Sequence, residues 1–227
     1  MGTSKGYIAP TTPHWSQAKR SVTSYINNGD GESRAKAASK YASAMHHDLD
    51  ASQQFTKAAG SILSFAQAVS HGGINNALQE FNRNDLIGKS SDEIYNELIQ
   101  EFTNYGNTTE DNLSAEAIRA ALKRLDVTDM EDLKDIASDV LLKEMLIEYI
   151  KFSFAFRYEE KIRMKRSPEE TEHLLKKMDK YISNELHNNL KLEDIKKMDF
   201  GSLQASEVVK RSLEDAYQVF ELFYGEA

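Results

Sequence analysis

Residues 140–156, VLLKEMLIEYIKFSFAF, decide the fold, because they are apolar nearly all the way round a helix. Their charged residues, Lys143, Glu144, Glu148 and Lys151, share one narrow stripe at helical spacing. Four charges are too many for an ordinary membrane span. We therefore expect this segment to be either the buried centre of a helical bundle or a contact between copies of the chain. It would belong to one long helix over residues 128–165.

Helix-end signals continue on both sides of this segment. Thr12 and Pro13 are typical of a helix start, and Gly29 of the end of the same helix. The stretch His71-Gly72-Gly73 is typical of a helix end and separates a helix that begins near Asp50 from a short one that follows. Capping boxes are predicted at Ser90-x-x-Glu93, Thr128-x-x-Glu131 and Ser167-x-x-Glu170.

The sequence pattern predicts helices and turns along the whole chain. It shows no alternating strand pattern, and its only prolines are Pro10, Pro13 and Pro168. We therefore expect an all-α fold, an irregular multi-helix bundle of about eight to ten helices. The polar stretch GNTTEDN at 106–112 is the best interior linker. These boundaries predict a flexible N-terminal arm over 1–12, a helical half over 13–105, the linker, and a helical half over 113–227 that packs against the first.

The composition excludes several classes of protein. The 227 residues include no cysteine, which excludes disulfide frameworks, thiol catalysis and thiolate metal sites. A net charge of −8 disfavours nucleic-acid binding, which depends on clustered Lys and Arg. The chain does not open with a basic segment followed by an apolar one, and we expect no membrane association. A cytoplasmic protein is the resulting prediction.

Positive charge is concentrated near the N-terminus. Residues 1–80 hold seven Lys and Arg against five Asp and Glu, although the whole chain is acidic. The candidate docking face for an acidic partner consists of Lys19, Arg20, Arg34, Lys36 and Lys40. An ordinary solvated surface is the other interpretation of the same residues.

Few residues suggest catalysis or metal binding. His46 and Asp50 have the i,i+4 spacing of a metal pair, with His47 beside them, but a helix end also accounts for these residue types and is favoured. Glu170-x-x-His173 is half of a di-iron carboxylate motif and lacks its second copy. No nucleotide-binding loop, zinc-protease motif or serine-hydrolase elbow occurs. We expect a chain that is not an enzyme and binds no metal or cofactor itself.

The leader MGTSKGYIAPTTP contains the one group whose chemistry can be named. Removal of Met1 would make Gly2 the first residue. The sixth residue is Gly6 rather than the Ser or Thr that N-myristoylation requires, so the sequence does not match that motif. The α-amine of Gly2 remains as a nucleophile toward an activated acyl group, since its pKa is lower than that of a lysine side chain. Trp15, the only tryptophan, is either a core residue, which we favour, or an anchor for a partner.

Four features of the sequence point to a known family. They are MGTS at 1–4, an arm with Pro10 and Pro13-x-Trp15, SRAKAASKYASAM at 33–45, and DLIGKSSDEIYNEL at 85–98. With these features the chain resembles the QatB-like component of the bacterial Qat anti-phage defence system. In that family the QatB-like protein is encoded beside an ATPase, a QueC-like enzyme and a TatD-like nuclease.

The resemblance implies a specific modification. The QueC-like partner would use ATP to adenylate 7-carboxy-7-deazaguanine and pass the acyl group to the amine of Gly2. The partner would recognise the arm through Thr3, Ser4, Gly6, Pro10 and Trp15. The chain would then be a non-catalytic defence component. The alternative is a helical scaffold that binds a defence ATPase or nuclease and keeps an unmodified, disordered N-terminus.

Overall fold

The computed structural model describes residues 10–200 and 205–222, and these residues form α-helices, short 3-10 helices and turns without a strand. The α-helices are α1 (Pro13–Asn28), α2 (Gly31–His46), α3 (Gln53–Glu80), α4 (Ser91–Phe102), α5 (Thr109–Arg124), α6 (Ser138–Arg163), α7 (Pro168–Asn189) and α8 (Ala205–Leu222). The 3-10 helices are Leu49–Ser52, Asn84–Leu86, Asn104–Gly106, Met130–Asp135 and Glu193–Lys197. The all-α prediction is confirmed, and the number of α-helices in the described residues lies in the expected range.

Local capping sets several helix starts as predicted. Ser90 and Glu93 form the capping box of α4, and Ser167 and Glu170 form that of α7. In each box the serine side chain accepts the N–H of the glutamate while the carboxylate accepts the N–H of the serine. A cap that was not predicted starts α2, where Asp30 accepts the N–H of Ser33. Four-residue patterns are therefore sufficient to place these helix starts.

Helix α3 breaks at Gly73, which has φ 75° and ψ 175°. The positive φ is accessible to glycine without a steric penalty. The break confirms the predicted boundary between a long helix and a short one. Ile74 opens the short part, and its N–H donates to Glu131 Oε2 over 2.8 Å, which satisfies a donor left free by the break.

The prediction of one helix over residues 128–165 is wrong. The chain forms the 3-10 helix Met130–Asp135 first, and α6 follows as a separate element. Asp129 and Asp132 form the capping box at this point, in place of the predicted threonine and glutamate. Because the side chain of Glu131 accepts from a distant backbone N–H, it is not available to cap its own helix.

The predicted linker 106–112 is a turn only in its first part. Asn104, Tyr105 and Gly106 have φ values of 52°, 54° and 66°, so three consecutive residues are left-handed. Thr108 then caps α5, which starts at the next residue. The polar composition of this stretch therefore reflects a tight turn and a helix cap rather than a free connection.

The apolar centre of α6 is buried within this chain. The residues of α6 that are at most 1% exposed include Leu141, Leu142, Met145, Leu146, Ile147, Tyr149 and Ile150. Their burial supports the bundle-centre interpretation over a contact between copies. Glu144 and Glu148 are also buried, and Arg124 of α5 lies 3.3 Å from a carboxylate oxygen of each. This arginine accounts for the acidic residues in an otherwise apolar segment.

Contacts group the chain into two compact units. The first comprises the chain up to Leu49, Ile150–Leu190 and the chain from Glu214. The second comprises Asp50–Tyr149 and Lys191–Leu213. Helices α6 and α8 each contribute to both units, so this grouping differs from the sequential halves 13–105 and 113–227. The predicted division of the chain at the linker does not describe these two units and stays a prediction.

Each unit has its own core. In the first, Tyr25 donates its hydroxyl to Leu174 O over 2.8 Å, and Tyr41 donates to Ser153 Oγ over 2.8 Å. The second unit has an aromatic cluster of Phe65, Phe81 and Phe102 with ring centroids 5.2 to 6.1 Å apart. These contacts join residues far apart in the sequence and give each unit a specific packing.

Candidate functional site

The point at which the N-terminal arm joins the folded chain is well defined. Thr12 Oγ1 accepts the N–H of Trp15 over 3.4 Å, and Pro13 occupies the first helical position of α1. Proline suits that position because its missing N–H would have no intrahelical acceptor. Helix α1 thus starts where the sequence predicts. We call Pro10, Thr12 and Trp15 the arm root.

Trp15 holds the arm root to the first unit. Its indole is 1% exposed, and its Nε1–H donates to Asp48 Oδ2 over 3.0 Å. The guanidinium of Arg157 lies 5.7 Å from the centroid of the indole ring. Burial confirms the favoured core interpretation of Trp15. Because the indole is buried, a partner could touch it only if the first turn of α1 moved. We therefore expect Trp15 to hold the arm root in place rather than to contact a partner directly.

A histidine pair joins the start of α1 to the end of α2. His14 stacks on His47 with ring centroids 3.7 Å apart, and His46 Nδ1 lies 3.3 Å from Glu221 Oε1. The imidazoles therefore pack or pair separately instead of converging. Within residues 10–200 and 205–222, no group of three or more His, Cys, Asp or Glu has metal-binding geometry. The alternative of a metal centre at His46, His47 and Asp50 finds no support in this geometry.

The half motif at Glu170 and His173 has a local role. Glu170 accepts the N–H of Ser167 over 3.1 Å in the capping box of α7 and pairs with Arg166 at 3.5 Å. His173 is exposed on the same helix. The carboxylate is thus already engaged in starting α7, which agrees with its interpretation as a surface pair.

Two members of the predicted docking face make contacts within the first unit. Lys19 donates to Pro10 O over 3.4 Å, and this contact places its ammonium at the arm root. Arg34 packs over the ring of Tyr181 at 5.0 Å from the centroid. The remaining members, Arg20, Lys36 and Lys40, are exposed or half-buried, and the grouping of all five residues as a docking face stays a prediction.

Lys161 and Lys165, which do not belong to the predicted docking face, lie near Lys19. Lys161 of α6 donates to Lys19 O over 2.9 Å. Burial lowers the pKa of Lys161, and the nearby charges of Lys165 and Lys19 lower it further. Lys161 lies in the last turn of α6 and Lys165 in the turn that follows this helix, and the sequence alone does not show that Lys161 lies beside α1. Lys19, Lys161 and Lys165 are called the lysine cluster below.

A cleft of about 570 Å³ in the second unit lies along α3. Two of its polar residues bind the backbone of another segment of the chain. Ser64 Oγ donates to Phe200 O over 3.1 Å, and Gln67 Nε2 donates to Met198 O over 3.4 Å. These side chains hold the segment before α8 in place and do not form a catalytic set.

The predicted acceptor Gly2 and the recognition residues Thr3, Ser4 and Gly6 lie outside the described residues. The site that the structure describes is therefore the arm root and the lysine cluster beside it. The arm root fixes the start of α1 to the first unit, and the nearby lysine side chains carry positive charge. No helix in the described part of the chain is long and apolar enough to cross a membrane.

A family model described as "Qat anti-phage system associated protein QatB" matches residues 49–220. The match covers most of the chain and begins after α2. No curated protein and no solved structure matches the chain.

Proposed function

The chain belongs to the QatB family and takes part in Qat anti-phage defence, and from this premise we propose that the amine of Gly2 accepts a deazaguanine acyl group. The donor is a QueC-like enzyme of the same system, and Met1 is removed first. In this proposal the chain is a non-catalytic, cytoplasmic component that binds no cofactor. The system's ATPase and TatD-like nuclease are its further partners, with no direct binding of nucleic acid or membrane.

The modification is an acyl transfer in two steps. The partner first joins the carboxylate of 7-carboxy-7-deazaguanine to the AMP portion of ATP and releases pyrophosphate. The neutral amine of Gly2 then attacks the acyl carbon, an amide C–N bond forms, and the bond from the acyl carbon to the AMP oxygen breaks. AMP and one proton leave. Glycine suits the acceptor position, because without a Cβ its amine can approach a crowded acyl-adenylate.

The anchored arm root is the observation that best supports delivery of an N-terminal amine. The cap at Thr12 and the buried Trp15 fix residue 10 relative to the first unit. Eight residues separate Gly2 from this fixed point, counting Pro10 itself, and they span at most roughly 30 Å. A partner that binds near the arm root therefore has the amine within its reach, and confinement of this kind raises the effective concentration of a reactant.

Mass spectrometry of the intact protein tests this proposal. The chain should be produced with and without the QueC-like component, and the N-terminal peptide sequenced. We expect a mass increase equal to 7-carboxy-7-deazaguanine minus one water, located on Gly2, only when the partner is present. Replacing Gly2→Val or adding a tag before Gly2 should abolish it, whereas the same tag at the C-terminus should not. An unmodified N-terminal peptide in the presence of partner and substrates would refute the proposal.

Deletion of residues 2–9 separates this function from the scaffold alternative. The deletion leaves the arm root and every described helix in place. If the amine is the functional group, the deletion removes phage resistance while the thermal unfolding curve stays unchanged. Survival of both phage resistance and partner binding would favour the scaffold.

A further inference from the structure

We propose that the exposed ring of Tyr105 is the anchor by which the folded chain docks on the QueC-like enzyme that modifies its arm. The identity of that enzyme rests on the proposed function, whereas the exposure and the backbone conformation of Tyr105 do not. Tyr105 lies in the turn between α4 and α5, within the second unit. We call residues 103–108 the tyrosine turn.

The fold makes little use of the Tyr105 ring. Tyr105 is 60% exposed, and no other aromatic residue in the described part of the chain is as exposed. Within residues 10–200 and 205–222, its hydroxyl forms no hydrogen bond and its ring packs against no other ring. Burial of this ring therefore contributes little to the stability of the chain.

The backbone conformation of Tyr105 opposes its residue type. Its φ of 54° and ψ of 22° lie in the left-handed region, which a bulky side chain occupies only at a cost in free energy. Asn104 and Gly106 on either side also have positive φ, but asparagine and glycine tolerate that region. The tyrosine is therefore both strained and exposed, a combination that is characteristic of a functional position.

The start of α5 holds the tyrosine turn in place. Asp111 is fully buried, and its Oδ2 accepts the backbone N–H of Thr108 over 2.8 Å and the side-chain N–H of Asn104 over 3.2 Å. Asn112 Nδ2 donates to Gly106 O over 3.1 Å, and a Cβ on this glycine would lie 2.7 Å from Asn112 Oδ1. The backbone that carries the ring is thus fixed before a partner binds, so less conformational entropy is lost on binding.

The residues around the ring fit a protein partner. Residues 102–109, FTNYGNTT, carry no charge, although 28% of the residues in the chain are charged. Asn104 and Asn107 are exposed and offer neutral hydrogen-bonding groups beside the aromatic ring, a combination typical of loops that bind proteins. The flanking charges are those of Glu101 and Glu110, which disfavour a nucleic-acid backbone.

The QueC-like enzyme is the partner that the proposed function requires to bind. It must distinguish this chain from other proteins that begin with glycine, and a contact with the folded chain supplies that distinction. The family model matches residues 49–220, so the tyrosine turn lies in the matched part and the arm lies outside it. We therefore expect an enzyme that modifies members of this family to contact the matched part.

Calorimetry with the purified QueC-like component, without ATP, tests the anchor. Tyr105→Asn removes the ring and keeps a residue type that tolerates positive φ, and it should bind on the order of tenfold or more weakly than the unchanged chain. Tyr105→Phe keeps the ring and should bind within about threefold of the unchanged chain. The matched control Val140→Ala shortens a side chain of the second unit that is 42% exposed, and its affinity should be unchanged.

The kinetics of the proposed modification give a second measurement. Tyr105→Asn should raise KM and leave kcat unchanged, because a contact far from the reacting atoms stabilises the bound substrate and the transition state equally. The melting temperature of Tyr105→Asn should not fall, since the substitution relieves backbone strain. If it does fall, Tyr105→Leu decides, because leucine keeps a bulky side chain and lacks the aromatic ring, and we expect weaker binding on the order of tenfold for this variant also.

Several results would overturn the anchor. Equal affinities of Tyr105→Asn and the unchanged chain would do so, as would failure of the unchanged chain to bind the QueC-like component. Ring-dependent binding of only the system's ATPase or nuclease would refute the QueC-like enzyme as the occupant. Ring-dependent self-association, measured by sedimentation, without binding of the enzyme would assign Tyr105 to a contact between copies.

The two proposals fail in different ways. Ring-dependent affinity without any mass change on Gly2 would leave the anchor intact and refute the modification. Modification of Gly2 with the same affinity and KM for all Tyr105 variants would do the reverse.

Discussion

Asp48→Ala should destabilise the arm root through a single hydrogen bond. The substitution removes the carboxylate that accepts the Nε1–H of Trp15 over 3.0 Å, and Trp15 is only 1% exposed in the unchanged chain. Loss of a partner for a buried donor costs about 1–3 kcal/mol, and we expect the lower part of that range because Asp48 is half-buried and water can replace it in part. At about 2–4 °C per kcal/mol for a chain of this size, the melting temperature should fall by about 2–8 °C.

The sole tryptophan makes this prediction easy to measure. Because Trp15 is the only tryptophan in the chain, its fluorescence reports on the arm root alone. Asp48→Ala should shift the emission to longer wavelength and increase quenching by acrylamide. Asp50→Ala, two residues away and exposed, should change neither the emission nor the melting temperature and serves as the matched control.

A double-mutant cycle decides whether the hydrogen bond is the cause. Trp15→Phe keeps an aromatic ring and removes the N–H, so Asp48→Ala should cost less than about 0.5 kcal/mol in that background, measured by chemical denaturation. An equal cost of Asp48→Ala in both backgrounds would refute the role assigned to the Trp15–Asp48 bond.

Other predictions concern the two cores and one turn. Gly60→Ala should destabilise by about 1–3 kcal/mol, because a Cβ would lie 2.7 Å from Ser206 N and force α3 and α8 apart. Burial raises the pKa of Tyr25 to about 12, so the unfolded chain ionises first as pH rises above about 10 and stability falls between these values. Tyr25→Phe should weaken this alkaline loss, seen in denaturation at pH 9 and 11. Tyr105→Gly should raise the melting temperature by a few degrees, since φ 54° strains a bulky residue.

Each of these predictions has a contrary outcome. Gly31→Ala is the control for the interior glycine, because its Cβ would meet no atom closer than 3.8 Å. Equal costs of the two Gly→Ala changes would mean that close helix approach is not what the interior glycine provides. An alkaline stability loss that Tyr25→Phe leaves intact would assign that loss to other tyrosines. A lower melting temperature for Tyr105→Gly would show that contacts of the ring outweigh backbone strain.

Sequence reasoning succeeded where the determining residues are close together. The starts of α1, α4 and α7 each depend on a cap at Thr12, Ser90 or Ser167 and on residues within one turn of it. The helix break at Gly73 likewise depends on one residue that accepts a positive φ. The all-α fold class followed from the same local periodicity.

The sequence does not predict contacts that a side chain makes with residues far away along the chain. Glu131 was expected to cap its own helix, but it accepts from Ile74, 57 residues away. The spacing of His46 and Asp50 suggests a metal pair, but His46 Nδ1 lies beside the carboxylate of Glu221, 175 residues away. The lysine cluster depends on a contact between Lys161 and Lys19 that spans 142 residues. None of these partners can be read from spacing along the chain, because each depends on how the helices pack.

Because the start of α1 is anchored, the number of residues in the arm sets how far Gly2 can reach from it. With residue 10 held by the cap and the buried indole, each residue inserted before it extends the maximum reach of Gly2 by about 3.5 Å, and each deletion shortens it equally. A series of such insertions and deletions would locate a partner's reaction centre by counting residues. Natural variation in this length would then record how far that centre lies from the bound body.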